Sequence, residues 1–376
     1  MSGRKRVLIV GGTGVFGMRL AGHLARCDGL ELVLTSRNQE RAQRVVDLLE
    51  GEDARVPISA VALERGVAAT RVLRTIKPWL VVDCSGPFQG EDHAFAKAVI
   101  EQGLHFFDLA DGRDYLLGFS DALNDLALSR GVVALAGASS PPALSHAIVE
   151  KLTAGWHRID TIDLAIVPAG RSEVGPAVIK GVLSYAGCLV PAWRDGKIGQ
   201  VAGWSESGTI DHPDLGRKNV AIVETMDAEL MGPKFNVRER VHFCAGLESG
   251  LEQRGMQLIS ALRRNNMLPD VSRFAGVFVK ARSLTRLFAT NDGGMVVRVT
   301  GLNAHHERTR TQWWLTARKN HGPSVPILPL AAAIEKLGRG DVPAGARLAT
   351  DVLNLTDIEA QMAGYAITRE SVSAGL

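Results

Sequence analysis

Residues 7–17 read VLIVGGTGVFG, four aliphatic residues running into Gly11, Gly12, Gly14 and Gly17. A short apolar strand, a glycine turn and a helix-length segment, in that order, form the arrangement that cradles a dinucleotide pyrophosphate. Three of the glycines have separate physical tasks. Gly11 permits the tight turn out of the strand, Gly14 puts no Cβ in the way of a phosphate, and Gly17 lets the following helix pack closely on the sheet. Thr13, Val15 and Phe16 complete the loop. The helix that starts there offers its free N–H groups and dipole to an anion.

Working outward, the first 155 residues alternate strand and helix signals. Apolar runs fall at Val7–Val10, Leu32–Leu34, Leu80–Val82, His105–Leu109 and Val132–Leu135, with a weaker one near Val56–Val61. Between them lie helix-length segments such as Ala94–Gln102 and Asp121–Ser129, each followed by a glycine suited to a helix end. Short continuous apolar strands separated by helices predict a parallel sheet covered on both faces. Six such strands make an α/β, Rossmann-type doubly wound parallel sheet.

The rhythm changes after Trp156. Residues 159–167 predict a strand, 176–186 a helix, and short strands follow at Val220–Glu224 and Val237–Phe243. A hairpin is expected to pair Met295–Gly301 with Thr309–Ala317. This pattern predicts a second, α+β domain with a mixed or antiparallel sheet. The expected division is 1–155 for dinucleotide binding, 156–340 for substrate and dimerisation, and a tail, 341–376, packing back on the first domain.

The end of the second strand bears on cofactor choice. NAD-selective sites place Asp or Glu there, on the ribose 2′-OH. Here Ser36 and Arg37 occupy that end, and a guanidinium with a hydroxyl suits a 2′-phosphate that a carboxylate would repel. NADP(H) is expected over NAD(H). Arg41, one turn on, either lies over the adenine or is solvated.

Composition narrows the class. With 376 residues, 46% hydrophobic and 22% charged, the chain is long enough for two globular domains. A net charge of +3 over this length does not suggest nucleic-acid binding. No apolar run is long enough to span a membrane, and the run after the N-terminal MSGRKR is too short for a secretion signal. Four scattered cysteines without a CxxC fit a reduced, cytoplasmic protein with no disulfide framework or zinc site.

Several segments resemble the saccharopine dehydrogenase-like family, in particular its short bacterial members. VVDCSGPFQG (81–90) is similar to the family's fourth-strand N-x-x-GPF loop, and GLHFFDLADGRDYL (103–116) to its G-x-H-Y-x-D stretch. VVALAGASSPPALS (132–145) resembles GASSxPALS, and DHPDLGRKNVAIVETMDAEL (211–230) resembles IGRRxVxxxxTPD. VHFCAGLE (241–248) matches a recurring element of the family's second domain. One departure stands out: Asp111-Gly112-Arg113-Asp114 replaces the Gly-Glu that many relatives carry after the fifth-strand aspartate. The resemblance implies an NAD(P)-dependent oxidoreductase, typically making or cleaving a secondary amine by hydride transfer to or from an imine. Relatives also synthesise polyamines or reduce carbon–carbon double bonds, so the fold transfers better than the substrate.

Ligands of this fold bind outside the carboxyl ends of the strands, which makes Ser85, Gly86 and Pro87 candidates for cofactor contact, with Phe88 as a wall. Ser139 and Ser140 are candidates for substrate contact or for capping the next helix. His146 matches a histidine in the DPGxxH turn of longer relatives; it is either an acid–base residue or a hydrogen-bonded buried imidazole. Arg171 sits in an R-x-x-G setting seen in the family and is either a carboxylate clamp or a surface cation. Asp227 reads as a turn cap. Adjacent side chains on an extended chain point opposite ways, so His305-His306-Glu307 is not expected to bind metal. The stretch 273–288 patterns as a basic amphipathic helix, for core or dimer packing or, less favoured, for peripheral membrane contact. The reading is an NADP(H)-dependent oxidoreductase, a homodimer acting on a small molecule. An enoyl or carbonyl reductase and a non-catalytic NADP sensor or partner-binding protein are the alternatives.

Overall fold

The computed structural model describes residues 3–52, 54–276, 278 and 289–376. The chain divides into two compact units, Met1–Ala143 with Pro326–Gln361, and Leu144–Val325 with Met362–Leu376. The sequence reading drew its lines instead at 155 and 340.

The first unit contains β1 (Lys5–Val10), β2 (Leu30–Ser36), β3 (Ile58–Ala62), β4 (Leu80–Asp83), β5 (His105–Asp108) and β6 (Val133–Ala136). Its helices are α1 (Val15–Leu24), α2 (Gln39–Glu50), α3 (Thr70–Ile76), α4 (Ala94–Ile100) and α5 (Arg113–Arg130). All pairings in this sheet are parallel. Val7, Leu8, Ile9, Leu32, Leu80, Val82, Phe106 and Phe107 are buried, as central strands covered on both faces must be. Two features exceed the expectation. Helix α5 begins two turns before Asp121, because Tyr115, Leu116 and Phe119 find a buried face there that Arg113, Asp114 and Gly118 obscure in the sequence.

The second unit supplies β7 (Arg158–Val167), β8 (Leu189–Arg194), β9 (Lys197–Ala202), β10 (Gly208–His212), β11 (Gly216–Ile222), β12 (Arg240–Ala245), β13 (Gly293–Leu302) and β14 (Arg308–Ala317). Helices α6 (Ser145–Leu152), α7 (Pro176–Tyr185), α8 (Asp227–Lys234) and α9 (Gly250–Arg264) belong to it. The chain then returns to the first unit with α10 (Leu328–Arg339), β15 (Gly345–Leu348) and α11 (Leu355–Ala360), and ends in the second with β16 (Ile367–Gly375).

β15 is the second departure: it extends the first sheet to seven strands, in the order β15-β6-β5-β4-β1-β2-β3. Four residues reading GARL carry too little periodicity to be recognised, and only pairing with β6 makes them a strand. Strand order reverses between β1 and β4, which is where a doubly wound sheet opens its ligand crevice.

The second sheet runs β10-β11-β12-β7-β13-β14-β16, with β8 and β9 attached at β12. It is mixed: β12 and β7 are parallel, and the expected β13–β14 hairpin is antiparallel in continuous register from Gly293↔Ala317 to Leu302↔Arg308. The C-terminal stretch is thus shared, β15 joining the first sheet and β16 pairing with β14. Most of the amphipathic stretch expected over 273–288 lies outside the described residues. Among the described residues no helix is long and apolar enough to cross a membrane.

Candidate functional site

The glycine loop has the geometry its residues require. Gly11 adopts φ +72°, and a Cβ there would stand 2.9 Å from Ser85 Cα. A Cβ on Gly17 would stand 2.3 Å from the Gly11 carbonyl oxygen, so α1 approaches the loop as closely as only glycine allows. Gly14 differs: its Cβ would meet the Gly11 oxygen at 3.2 Å and nothing else within 4 Å, leaving open space in front of it. Helix α1 starts just after Gly14 with no side-chain cap and no acidic residue in its first turn. Its N-cap therefore supplies no side-chain acceptor to the first N–H groups, and its first turn carries no carboxylate that would compete with a phosphate. Thr13, Val15 and Phe16 are partly exposed around this opening.

At the end of β2, Ser36 is partly buried and Arg37 exposed. Asn38 caps α2 by accepting from the Arg41 N–H at 2.9 Å, and Ser36 Oγ accepts from the Asn38 N–H at 3.3 Å. Arg41 reaches back across the opening, its Nη2 donating to the Thr13 carbonyl at 3.3 Å. Arg37 makes no side-chain hydrogen bond or ion pair among the described residues, and no carboxylate occupies residues 35–39.

On the other side of the crevice lie the ends of β4, β5 and β6. Ser85 donates through both N–H and Oγ to Asp83 Oδ1, at 2.9 and 2.5 Å. The other Asp83 oxygen accepts from Arg65 Nε at 2.6 Å, and Arg65 also pairs with Glu91. Burial lowers the Arg65 pKa, but its two carboxylates more than offset this and raise it overall. Beside Asp83 in register is Asp108. Both carboxylates are wholly buried. Asp108 Oδ1 accepts from the N–H groups of Ala110 at 3.0 Å and Gly137 at 2.8 Å, and Oδ2 accepts from the Tyr115 hydroxyl at 2.9 Å. Burial pushes the Asp108 carboxyl up to about 7 against the opposing pull of those N–H groups, with the charge of Asp83 adding to the rise. The loops themselves interlock, since a Cβ on Gly112 would stand 2.7 Å from the Phe88 carbonyl. The departure at 111–114 is spent on the surface: Asp111 accepts from Gln89 at 3.2 Å and Asp114 pairs with Arg113 at 2.5 Å.

Sequence reasoning named Ser85 to Pro87, but gave neither Asp83 nor Asp108 a role, and it missed Arg65 and Tyr115 as their partners. The signal was available in part: two aspartates close consecutive apolar strands, VVD and HFFD. That the two stand side by side in register, both buried, depends on strand order.

Ser139 and Ser140 are buried and do not cap the next helix. Pro141, at ψ 133°, interrupts the helical path, so α6 begins at Ser145 with no side-chain cap. His146, in the second unit, is buried against the Phe235 ring at 5.3 Å between centroids, and its Nδ1 has no hydrogen-bond partner among the described residues. Burial, with Lys234 adding, lowers its pKa to about 4. Asp227 is not an exposed turn cap: it is wholly buried at the start of α8, where Ser145 Oγ donates to its Oδ1, and burial raises its carboxyl to about 6. Arg171 is exposed, its N–H donating to the Thr290 carbonyl at 3.1 Å. His305 and His306 sit in the β13–β14 turn, with His306 stacked on His157 at 3.7 Å. Among the described residues no three His, Cys, Asp or Glu side chains converge on a metal position.

A doubly wound parallel sheet, an uncapped glycine-loop helix at its switch point and an interlocked crest of strand-end loops define a dehydrogenase-type, dinucleotide-binding protein. Residues 7–140 match the family model described as saccharopine dehydrogenase NADP binding domain. That segment carries the family's NADP-binding domain, in line with the motifs of the first unit. Among solved structures it is similar to apo saccharopine dehydrogenase (L-Glu forming) from Saccharomyces cerevisiae, with 13% identity and a TM-score of 0.68 over 98% of this chain and 100% of that one. At this identity the likeness establishes the fold. An engineered D-amino acid dehydrogenase bound to NADP+ aligns with 14% identity and a TM-score of 0.48 over 95% of this chain and 99% of that one, too loosely to add to the assignment. No curated protein matches the chain.

Proposed function

We propose that this chain is an NADP(H)-dependent oxidoreductase that moves hydride between the nicotinamide and a carbon of a small organic substrate. Imine or secondary-amine chemistry is the first class to test, on the family resemblance. The carrying observation is the end of β2, where Ser36 and an unpaired, exposed Arg37 stand in place of an acidic residue. A guanidinium and a hydroxyl recognise a 2′-phosphate, whereas a carboxylate there would select the free 2′-OH.

The bound nicotinamide would supply the hydride chemistry, and the chain's own residues would position and shield it. Gly11, Gly14, Gly17 and the first turn of α1 would hold the pyrophosphate. Thr13, Val15 and Phe16 would border it, and Ser85, Gly86 and Pro87 would approach the nicotinamide-side ribose. Arg171 offers an exposed cation for a substrate carboxylate, and Ser139 and Ser140 shape the turn after β6. His146 is neutral at physiological pH, so it offers a hydrogen bond rather than a proton reservoir.

The test is a fluorescence titration with NADPH and NADH on the wild type and Arg37→Ala. Tight NADPH binding, weak NADH binding and a preference lost in the variant are expected. Binding of neither nucleotide would sink the reading. With binding in hand, NADPH oxidation with a 2-oxo acid plus an amine, set against an enone, separates imine from enoyl or carbonyl reduction. The burial of Asp83, Asp108 and His146 favours one second reading, a non-catalytic NADP sensor, for which nucleotide binds and no substrate turns over.

A further inference from the structure

Four strand ends border the crevice of the first unit, and two carboxylates hold three of them together. Asp83, closing β4, fixes Ser85 through two hydrogen bonds. Ser85 is the residue pressed on Gly11, at the distance that excludes a Cβ there. Asp108, closing β5, holds the N–H of Ala110 in its own loop, the N–H of Gly137 in the loop after β6, and the hydroxyl of Tyr115 in the first turn of α5. Tyr115 packs in turn on Phe88, at 5.5 Å between rings, and on His93 at 4.7 Å. Displacing Asp108 would free three segments at once, and each borders the place where the nicotinamide half of a dinucleotide enters this fold.

The two carboxylates are not equivalent. Asp83 has a cation, Arg65, which also binds Glu91. Asp108 has no ion pair among the described residues. The groups facing it are the Asp83 carboxylate from β4, the Tyr115 hydroxyl from α5, two backbone N–H groups, and the thiol of Cys84, itself pushed well up by burial and by both aspartates. All of Asp108's neighbours that hydrogen-bond are donors. Its ionised form accepts every one of them, while a proton on Oδ2 would turn the Tyr115 hydroxyl, 2.9 Å away, from donor to acceptor and weaken the pull on the two amides.

We propose that Asp108 is a positioning residue of the cofactor crest, and that its charge state sets how well the crest binds oxidised cofactor. This rests on the reading of the crevice as an NADP(H) site. Ionised Asp108 locks the loops after β5 and β6, and its negative charge favours the positively charged nicotinamide of NADP+. Protonation reverses the Tyr115 hydrogen bond, loosens the hold on the Ala110 and Gly137 amides and removes that charge. Since hydride transfer interconverts a cationic and a neutral ring, Asp108 acts on the balance between the two cofactor states without touching either.

The experiment uses the full chain as wild type, Asp108→Asn and Tyr115→Phe, each checked for an unchanged melting temperature. Asn keeps an acceptor for Ala110 and Gly137 and abolishes the charge. Phe removes one hydroxyl from a well-packed ring. Selective 15N labelling of alanine and glycine follows the Ala110 and Gly137 amides from pH 5.5 to 8.5 without ligand, and NADP+ affinity is titrated over the same range. Both amides are expected to titrate together near neutrality in the wild type, at higher pH in Tyr115→Phe, and not at all in Asp108→Asn. The ratio of wild-type to Asp108→Asn affinity for NADP+ is expected to rise about fivefold from pH 6 to 8, a modest charge effect in a partly screened site. The ratio cancels the titration of the free nucleotide. Amides that do not share a titration, or an affinity ratio flat with pH, overturn the proposal. Titrating amides with no nucleotide binding at any pH would instead bring down the NADP(H) reading, and the cofactor role of Asp108 with it.

Discussion

Ser145 Oγ donates a hydrogen bond to Asp227 Oδ1, joining the first residue of α6 to the first residue of α8 across 82 positions of sequence. Both side chains are wholly buried, and among the described residues the second carboxylate oxygen has no hydrogen-bond partner. The hydroxyl is thus a principal stabiliser of a buried charge. Ser145→Ala should cost about 1–3 kcal/mol, the range for stranding a buried polar group. The pH dependence gives the prediction its edge. The folded Asp227 carboxyl titrates at about 6, above its unfolded value, so its burial costs nothing in acid and destabilises as pH rises through 6. Losing the Ser145 donor raises that pKa further, so the loss should be larger at pH 8 than at pH 5. Urea midpoints at the two pH values measure it, and an equal loss at both would refute the assignment.

His146 has the opposite sign. Its folded pKa of about 4 lies below the unfolded value of about 6.5. Its contribution is fully present above pH 6.5 and lost as pH falls toward 4, because the unfolded chain then binds the extra proton. Replacement by leucine should flatten that part of the stability profile by about 2–3 kcal/mol, the linkage value of such a shift. Denaturant titrations between pH 4 and 7 on both proteins decide it. Parallel profiles would mean that the imidazole is not desolvated.

Gly14 and Gly17 separate binding from folding. Gly17→Ala puts a Cβ 2.3 Å from the Gly11 oxygen, so the loop must move, and both stability and nucleotide binding should fall. Gly14→Ala meets only one atom, at 3.2 Å. Its melting temperature should change little, while NADPH affinity drops at least about tenfold as the methyl group occupies the phosphate path. Thermal melts beside NADPH titrations test both, and a Gly14→Ala protein with wild-type affinity would remove the phosphate from this loop.

Arg37→Glu should do more than Arg37→Ala. It restores the carboxylate of an NAD-type site, so NADPH affinity should fall well below that of the alanine variant while NADH binding holds or improves. Isothermal titration with both nucleotides reads the reversal. Unchanged NADPH affinity would assign Arg37 to solvent.

Much of the first unit was legible because its signals are local. Val7–Val10 and Leu80–Val82 announce buried strands by continuous apolarity, and the Gly11–Gly17 spacing specifies a turn whose strain only glycine relieves. The hairpin pairing Met295–Gly301 with Thr309–Ala317 was also legible, since alternation and a turn of suitable length fix its register. Helix α5 was read short because charges and a glycine mask the burial of Tyr115 and Phe119, and β15 went unread because four residues, GARL, are too few to show a pattern of their own. The capping role open to Ser139 or Ser140 gave way to Pro141, whose extended backbone interrupts the helical path ahead of α6.

The sequence by itself determined the glycine loop, the succession of strands, the change of architecture after Trp156 and the absence of a carboxylate after β2. Each depends on the conformational preferences and side-chain chemistry of neighbouring residues. Only the tertiary structure decided that Asp83 and Asp108 stand side by side, that His146 is a buried ring whose pKa burial lowers, that Asp227 is stabilised by Ser145, and that 345–348 joins the first sheet. These depend on which strands and helices become neighbours, and burial then sets the charge of a side chain through contacts far apart in the chain.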